Sequence, residues 1–510
     1  MSIDRQVFSF YLFIILSCLY LLIIVYKANW IFGDDGMLLN STLIGENRSF
    51  FIHPQAGRFS PLALMEFNVL KFFGNSPYLY YGWVAIKAVV AIASIYFSMI
   101  LITDSKLISS LFTVIFLVIP NVYFAFSHIY VPEATQIPLL SLFLLNYLLA
   151  LRNKTIIYYG LSFICALLAT YIKEPTFVIL IVFAASMLLF KREKTKPEKL
   201  FYYALVLNAI VFLGLYYFLV YIKISSAYYR EFVMNPALAF LYYTVRNPIF
   251  LLAILIGLYR FYKNISHKDF VISDTILYTG LSYVFAYVIM GLTGIYYVAP
   301  TYVFITIGFC GYASIYFSDL LRKVITFTYI AAFIFSLYFM FYTVSANISQ
   351  RDNDIRDIIK VSHLIGSKAF FIQSKAYDAP HNKVVDEYYL WVFPIFKSYL
   401  GFNYSLEKFY IEHVQDLNQG DFLIVYKEFP KCNLLSYSFN RFNLLYSGRS
   451  FSLLEYAGEN ARQNGSPFQL TFDDRMKLFH RSIAKSLGIP IIRHNNCLEA
   501  FEEAWRAKRS

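Results

Sequence analysis

The sequence predicts a mainly α polytopic membrane protein, in which a transmembrane helical bundle of about 11 spans precedes a small C-terminal α/β domain. Of its 510 residues, 58% are hydrophobic and only 15% are charged, whereas soluble proteins carry about 25% charged residues. Apolar runs close to the roughly 20 residues that cross a bilayer recur between residues 7 and 345. Beyond them, charged residues return and the apolar runs shorten to strand length. The aromatic content of 20% excludes a disordered chain, and the composition as a whole excludes a soluble enzyme.

The bundle is expected to contain eleven apolar spans. They are 7–26, 78–102, 107–126, 137–151, 156–172, 176–190, 200–222, 248–262, 271–290, 296–317 and 324–345. Several are near 15 residues and need flanking aromatic residues or a thin bilayer to span. The first is not a cleavable signal, because only Arg5 precedes it as a basic residue and no small-x-small site follows Tyr26.

The charges of the loops predict which side each loop faces. With the N-terminus inside, the inner loops are roughly fivefold denser in Lys and Arg than the outer loops. The run from Lys191 to Lys199 is the strongest cytoplasmic marker. An odd number of spans then places everything after Ser345 outside.

Three domains follow from these shifts in composition: a transmembrane domain over 1–346, an outer α/β domain over 347–456 and a polar extension over 457–510. The strands predicted in the α/β domain are 368–374 and 421–427, and an antiparallel pair, 443–446 with 450–456. Helices are expected at 383–400 and 473–487.

The first outer loop contains the main candidate for chemistry. Asp34 and Asp35 lie between Gly33 and Gly36 directly after the first span. A carboxylate at this position is suited to remove a proton from a sugar hydroxyl as a general base. Arg58, further along the same loop, has the forked donors that bind phosphate. The alternative is a solvated turn with Arg58 anchored at the headgroups.

A second candidate site is the short outer loop Lys173-Glu174-Pro175 between two spans. Its brevity holds both charges at the membrane boundary, where ionisable groups usually have partners and often function. Lys173 is suited to a lipid phosphate. The alternative is a snorkelling lysine and a glutamate at a helix end.

Weaker candidates lie in the other outer loops. They are His128 and Glu133, for a metal or acceptor hydroxyls, and Arg246 and Tyr297, for lining a substrate cavity. A solvated histidine and an aromatic belt explain part of this set equally well. Lys87 lies inside the second span and must face protein or water. The five cysteines show neither metal spacing nor a disulfide framework.

Several common chemistries lack a motif. The sequence contains no Walker A loop, GxGxxG, HExxH or GxSxG. ATP-driven transport and the commonest hydrolases are therefore unsupported. The net charge of +12 does not indicate nucleic acid, because cytoplasmic loops of membrane proteins collect basic residues.

The motifs FGDDGMLL, GRFSPL and YIKEP, with about eleven spans and an outer C-terminal domain, resemble the GT-C superfamily of polyprenyl-phosphate-sugar-dependent glycosyltransferases. Within it, residues 1–456 most resemble bacterial and bacteriophage O-antigen-modifying, serotype-converting glucosyltransferases. The resemblance implies an undecaprenyl-phosphate-linked sugar, with glucose expected, and transfer to a lipopolysaccharide O-antigen unit at the periplasmic face of the bacterial inner membrane. A separate donor synthase and a flippase would act earlier.

The resemblance also implies residue roles. The acidic residue of the first loop, Asp34 or Asp35, would be the base or its neighbour, and Arg58 and Lys173 would hold the lipid phosphate. No cofactor is firmly implied and no metal ligands are assigned. Because the pair is DD rather than the DxD of metal-dependent relatives, a divalent Mg²⁺ or Mn²⁺ stays an open alternative. A lipid-linked sugar flippase and an O-antigen polymerase or ligase are the alternative functions.

Overall fold

The computed structural model of the chain describes residues 5–29, 50–54, 57–74, 76–224, 235–246, 248–294, 296–315, 340–345 and scattered positions elsewhere between 334 and 371, 419–426, 441–447 and 451–460. Two compact units are present. The first comprises Met1–Tyr26 and Arg48–Ser345, and the second comprises Lys27–Asn47 and Ala346–Ser510.

The first unit is a helical bundle with one small hairpin. Its helices are α1 (Arg5–Val25), α2 (Phe67–Leu70), α3 (Pro77–Thr103), α4 (Lys106–Leu117), α5 (Pro120–Ser127), α6 (Glu133–Asn153), α7 (Ile156–Ile172), α8 (Thr176–Phe190), α9 (Lys196–Leu219), α10 (Pro236–Arg246), α11 (Pro248–His267), α12 (Ile272–Ile289) and α13 (Thr301–Ile315). The hairpin pairs β1 (Phe51–His53) with β2 (Arg58–Ser60). The predicted mainly α, polytopic fold is confirmed.

Local sequence signals begin and end these helices. Thr195 and Glu198 form a reciprocal capping box at the start of α9, with Glu198 Oε2 accepting from Thr195 N at 2.9 Å. Ser105 caps α4 by accepting from Ile108 N at 3.3 Å. Asp104 and Lys154 end α3 and α6 in the left-handed conformation. These caps hold the short turns between antiparallel neighbours.

Five helices in the described part of the chain are long and apolar enough to cross a membrane, and six are if one bent pair counts as a span. Five further apolar helices have 10–17 residues. The expected span 107–126 is broken, because α4 and α5 meet at 64° where Pro120 begins α5. The second half of the expected loop 223–247 forms the short helix α10. Of the expected span 324–345, the structure describes residues 334, 337, 338 and 340–345, and all of these are helical.

Close helix contact is clearest between α12 and α13. At Gly280 a Cβ atom would lie 2.8 Å from Phe304 Cβ and 3.1 Å from the Thr301 carbonyl oxygen. Glycine is therefore the residue that lets the two backbones approach. Elsewhere aromatic rings fill the interior, as where Phe183 meets Phe143 and Tyr147 at 5.0 and 4.9 Å between centroids.

The second unit contains a four-stranded sheet in the order β3-β4-β6-β5. Its strands are β3 (Phe370–Phe371), β4 (Phe422–Tyr426), β5 (Phe442–Ser447) and β6 (Phe451–Tyr456). β5 and β6 pair antiparallel, which confirms the predicted hairpin, and β4 pairs parallel with β3. The predicted helices 383–400 and 473–487 lie outside the described residues, as does most of 457–510.

Candidate functional site

The site is built on the hairpin that carries Arg58. Arg58 Nε donates to Glu174 Oε1 at 3.1 Å, and the Phe59 backbone N–H donates to the same oxygen at 2.9 Å. Gly57, with φ of 63°, makes the turn into β2, and its carbonyl oxygen accepts from Tyr216 Oη at 3.2 Å. Glu174 thus fixes both the backbone and the guanidinium of the hairpin.

The same carboxylate is kept ionised. Burial raises the pKa of Glu174, but the positive charges of Arg58 and Lys173, together with backbone hydrogen bonds to the carboxylate, outweigh it, so the pKa lies below its ordinary value of 4.5. The Arg58 side chain is 25% exposed. Arg58 is therefore both oriented and accessible.

Lys173 has a different environment from Arg58. Its ammonium lies 3.0 Å from Glu133 Oε1, with side-chain exposures of 4% and 0%, and 4.8 Å from the centroid of the Tyr297 ring. Glu133 is the first residue of α6, where the helix dipole favours a negative charge. Neither of its carboxylate oxygens accepts an aligned hydrogen bond from the described residues. The attraction to Lys173 is therefore an ion pair without hydrogen-bond alignment.

A buried polar network continues from this ion pair into the bundle. Gln136 Nε2 donates to Thr176 Oγ1 at 2.6 Å, and Gln136 Oε1 accepts from Tyr283 Oη at 3.1 Å. The Tyr287 ring stacks on Tyr297 with centroids 5.2 Å apart. The end of α12 is thereby joined to the starts of α6 and α8.

Sequence reasoning missed a third ion pair. Lys87 Nζ donates to Glu66 Oε1 at 3.1 Å and to Thr135 Oγ1 at 2.9 Å, and Thr135 donates to the same Glu66 oxygen at 2.7 Å. Burial raises the pKa of Glu66, but the positive charge of Lys87 and the Thr135 hydrogen bond leave it below its ordinary value. A lysine within an apolar span was the available signal, although nothing in the sequence identified its partner.

The remaining predicted site residues either make local contacts only or lie outside the described residues. The His128 ring stacks on Phe124 at 4.1 Å, and its Nδ1 lies 3.0 Å from both Phe124 O and Ser127 Oγ. These contacts orient the ring locally. Arg246 is the last residue of α10, and its side chain lies outside the described residues, as do Asp34 and Asp35 entirely.

Three cations of this region each face one carboxylate. Arg58 faces Glu174, Lys173 faces Glu133 and Lys87 faces Glu66. Arg58 is the most exposed of the three cations at 25%, against 4% for Lys173 and 6% for Lys87. An incoming anion would therefore meet Arg58 first. No group of three or more His, Cys, Asp or Glu that could hold a metal occurs within the described ranges.

Comparison with known proteins shows which solved structures share this fold. No family model matches the sequence. No curated protein matches it either. The structure of ArnT from Cupriavidus metallidurans bound to undecaprenyl phosphate is similar, with a TM-score of 0.52 at 8% identity over 89% of this chain and 99% of that one. Apo ArnT gives 0.49 at 10% identity over 89% and 98%.

A weaker likeness is to the archaeal oligosaccharyltransferase AglB from Archaeoglobus fulgidus, with a TM-score of 0.40 at 12% identity over 66% of this chain and 56% of AglB. At that score the likeness carries no weight. The similarity to the lipid-bound ArnT structure extends over nearly the whole of both chains. The chain is therefore a multi-pass membrane protein with the fold of ArnT.

Proposed function

We propose that the protein is a GT-C-type glycosyltransferase that uses a polyprenyl-phosphate-linked sugar. The observation that carries the proposal is the similarity of fold, over 89% of this chain, to a protein whose structure holds undecaprenyl phosphate. The ion-paired cluster around Arg58, Lys173 and Glu133 supports it, since buried charges at a helix end are costly to keep without a role.

The proposed reaction is a single displacement. The acceptor hydroxyl oxygen attacks the anomeric carbon, the bond from that carbon to the phosphate oxygen breaks, and the lipid phosphate departs with the electron pair. Asp34 or Asp35 takes the hydroxyl proton as general base. We favour Asp35, because Gly36 after it leaves room for the acceptor sugar. One displacement inverts the anomeric centre.

Arg58 is the proposed ligand of the departing phosphate, because it is accessible and its orientation is fixed by Glu174. Charge-assisted donors at a leaving group stabilise the transition state. Lys173 was expected to hold the same phosphate. Because Lys173 is buried against Glu133, we assign it the role of neutralising that carboxylate rather than of binding the phosphate.

The remaining assignments are finer proposals. His128, Arg246 and Tyr297 are proposed to contact the acceptor or the sugar, whereas Glu133, whose side chain is buried against Lys173, is proposed to act through that lysine. The donor sugar is proposed to be glucose and the acceptor an O-antigen unit. The protein would lie in the bacterial inner membrane with its site and C-terminus periplasmic, and Mg²⁺ or Mn²⁺ would act only if Asp34 and Asp35 bind it.

Two experiments test the function at its two levels. Purified protein incubated with radiolabelled polyprenyl-phosphate-glucose and O-antigen should move label onto the acceptor, whereas a flippase moves no sugar between molecules. Mass spectrometry of the O-antigen from cells with and without the gene should show one added hexose per modified unit. An unchanged O-antigen together with label transfer to another glycan would retain the transferase and overturn the acceptor.

A further inference from the structure

Lys87 is a buried cation that the proposed reaction does not use. It lies ten residues into α3 with its side chain 6% exposed. Its ammonium, the Thr135 hydroxyl and Glu66 Oε1 form a closed triangle of contacts of 3.1, 2.9 and 2.7 Å. The Phe67 ring lies 5.8 Å from the ammonium. The triangle joins three separate parts of the chain.

Each corner of the triangle belongs to an element that reaches the site. Glu66 follows β2, the strand that carries Arg58, by six residues. Thr135 is two residues beyond Glu133 in the first turn of α6. Lys87 belongs to the long helix α3, which packs against α6. The triangle therefore sets the position of the Arg58 segment relative to Glu133.

The segment is anchored at its other end as well. Glu174 holds Arg58 and the Phe59 N–H, and the Leu62 N–H donates to the Tyr171 carbonyl oxygen at 3.0 Å. Between Leu62 and Glu66 the backbone makes consecutive turns. Losing the Glu66 anchor would leave these turns fixed at one end only.

A buried ion pair is a weak source of stability, because desolvation of two charges offsets much of their attraction. It is better suited to fixing the relative position of two chain segments, because its hydrogen bonds form in one arrangement of those segments only. The triangle has that character, since one carboxylate oxygen accepts from both donors.

We infer that Lys87 is a positioning residue: by holding Glu66 against Thr135 it fixes the hairpin that presents Arg58 to the lipid-linked donor. The inference rests on the proposed function for its kinetic consequence. Its structural consequence, an ordered hairpin, does not depend on that function.

The test uses Lys87→Met and the double variant Lys87→Met/Glu66→Met, which should fold even if the single variant fails because it leaves no unpaired buried charge. A misplaced Arg58 should lower kcat/KM on the order of 10- to 100-fold, mainly through a raised KM for polyprenyl-phosphate-glucose. A merely structural role would reduce the amount of active enzyme, which lowers apparent kcat and leaves KM unchanged. Glu66→Asp keeps the carboxylate, so its donor KM should lie between those of the wild type and Lys87→Met.

Hydrogen exchange supplies the readout that needs no activity. The Phe59 and Leu62 amides, which the anchored hairpin protects, should exchange faster in both variants than in wild type. Arg260→Met is the matched control, because it also breaks a buried ion pair, with Asp274 at 2.8 Å. Asp274 lies about 20 Å along α12 from Tyr287, the residue through which that helix meets Tyr297 at the site. Arg260→Met should alter neither the exchange of these two amides nor the donor KM.

The outcomes separate the two proposals. Unchanged exchange of both amides in the double variant overturns the positioning role, whatever the activity. Wild-type protein without transferase activity refutes the proposed function and leaves the exchange result to decide on Lys87. Faster exchange with an unchanged donor KM also overturns the inference, because the hairpin would then move without affecting the donor.

Discussion

Replacing Lys173 by methionine tests the energetics of the candidate site. Methionine keeps much of the length of the side chain but removes the charge that lies 3.0 Å from Glu133, in a pair exposed by only 4% and 0%. The change leaves a buried carboxylate without its counter-ion, which costs about 3–5 kcal/mol. Removing both charges in Lys173→Met/Glu133→Gln should restore most of that free energy of unfolding.

The assay is thermal unfolding of the detergent-purified variants, compared at one scan rate because membrane proteins often unfold irreversibly. The control is Arg152→Met, which breaks an exposed pair with Asp104 at 3.8 Å, with side-chain exposures of 57% and 81%, and should cost at most about 1 kcal/mol. If Lys173→Met were no less stable than Arg152→Met, the buried pair would not exist as described.

The other predictions concern the proposed reaction and its pH dependence. Arg58→Ala should weaken donor binding by about 1.5–3 kcal/mol, measured as donor KM, and Arg58→Lys should restore only part because an ammonium lacks the guanidinium fork; an unchanged KM removes Arg58 from the phosphate site. At saturating substrates, Asp35→Asn or Asp34→Asn should lower turnover by about 10²–10⁴-fold for the residue that is the base, and less for the other. Near-normal turnover in both variants would show that the base does not lie in the first outer loop. The pKa of Glu174 is lower in the folded state than its ordinary value of 4.5. The ionised carboxylate should therefore stabilise the protein at pH values above 4.5, and this contribution should be lost as the pH falls through the lowered pKa. Glu174→Gln should therefore flatten the acid limb of the stability profile, and a profile that matches wild type would contradict the assigned ion pair.

The apolar runs predicted most of the bundle because each helix is itself an apolar run. The expected spans 156–172 and 176–190 coincide with α7 and α8. The break at Pro120 was missed because apolar residues continue across it, although proline cannot continue a helix without losing a backbone hydrogen bond. The helix α10 was missed because the apolar run before Arg246 is far shorter than the roughly 20 residues of a span.

The pairings within the site were not predictable from the sequence. Lys173 and Glu133 are 40 residues apart and Lys87 and Glu66 are 21 apart, and only the packing of α6 against its neighbours brings them together. The sequence marked Lys173 and Lys87 as unusual from their depth, but it did not identify the carboxylate that pairs with either. The sequence could not distinguish a lysine that neutralises a glutamate from one that binds a phosphate, because both roles place a lysine at the membrane boundary.

The central claim is that sugar passes from a polyprenyl phosphate to a separate acceptor. The most direct measurement follows both products at once, undecaprenyl phosphate and glycosylated acceptor, after purified protein in detergent is mixed with undecaprenyl-phosphate-glucose and O-antigen. The two products should appear in equal amounts, and Arg58→Ala should slow the appearance of both when the donor is below saturation. Undecaprenyl phosphate released without glycosylated acceptor, or no release at all from active, folded preparations, would contradict the central claim.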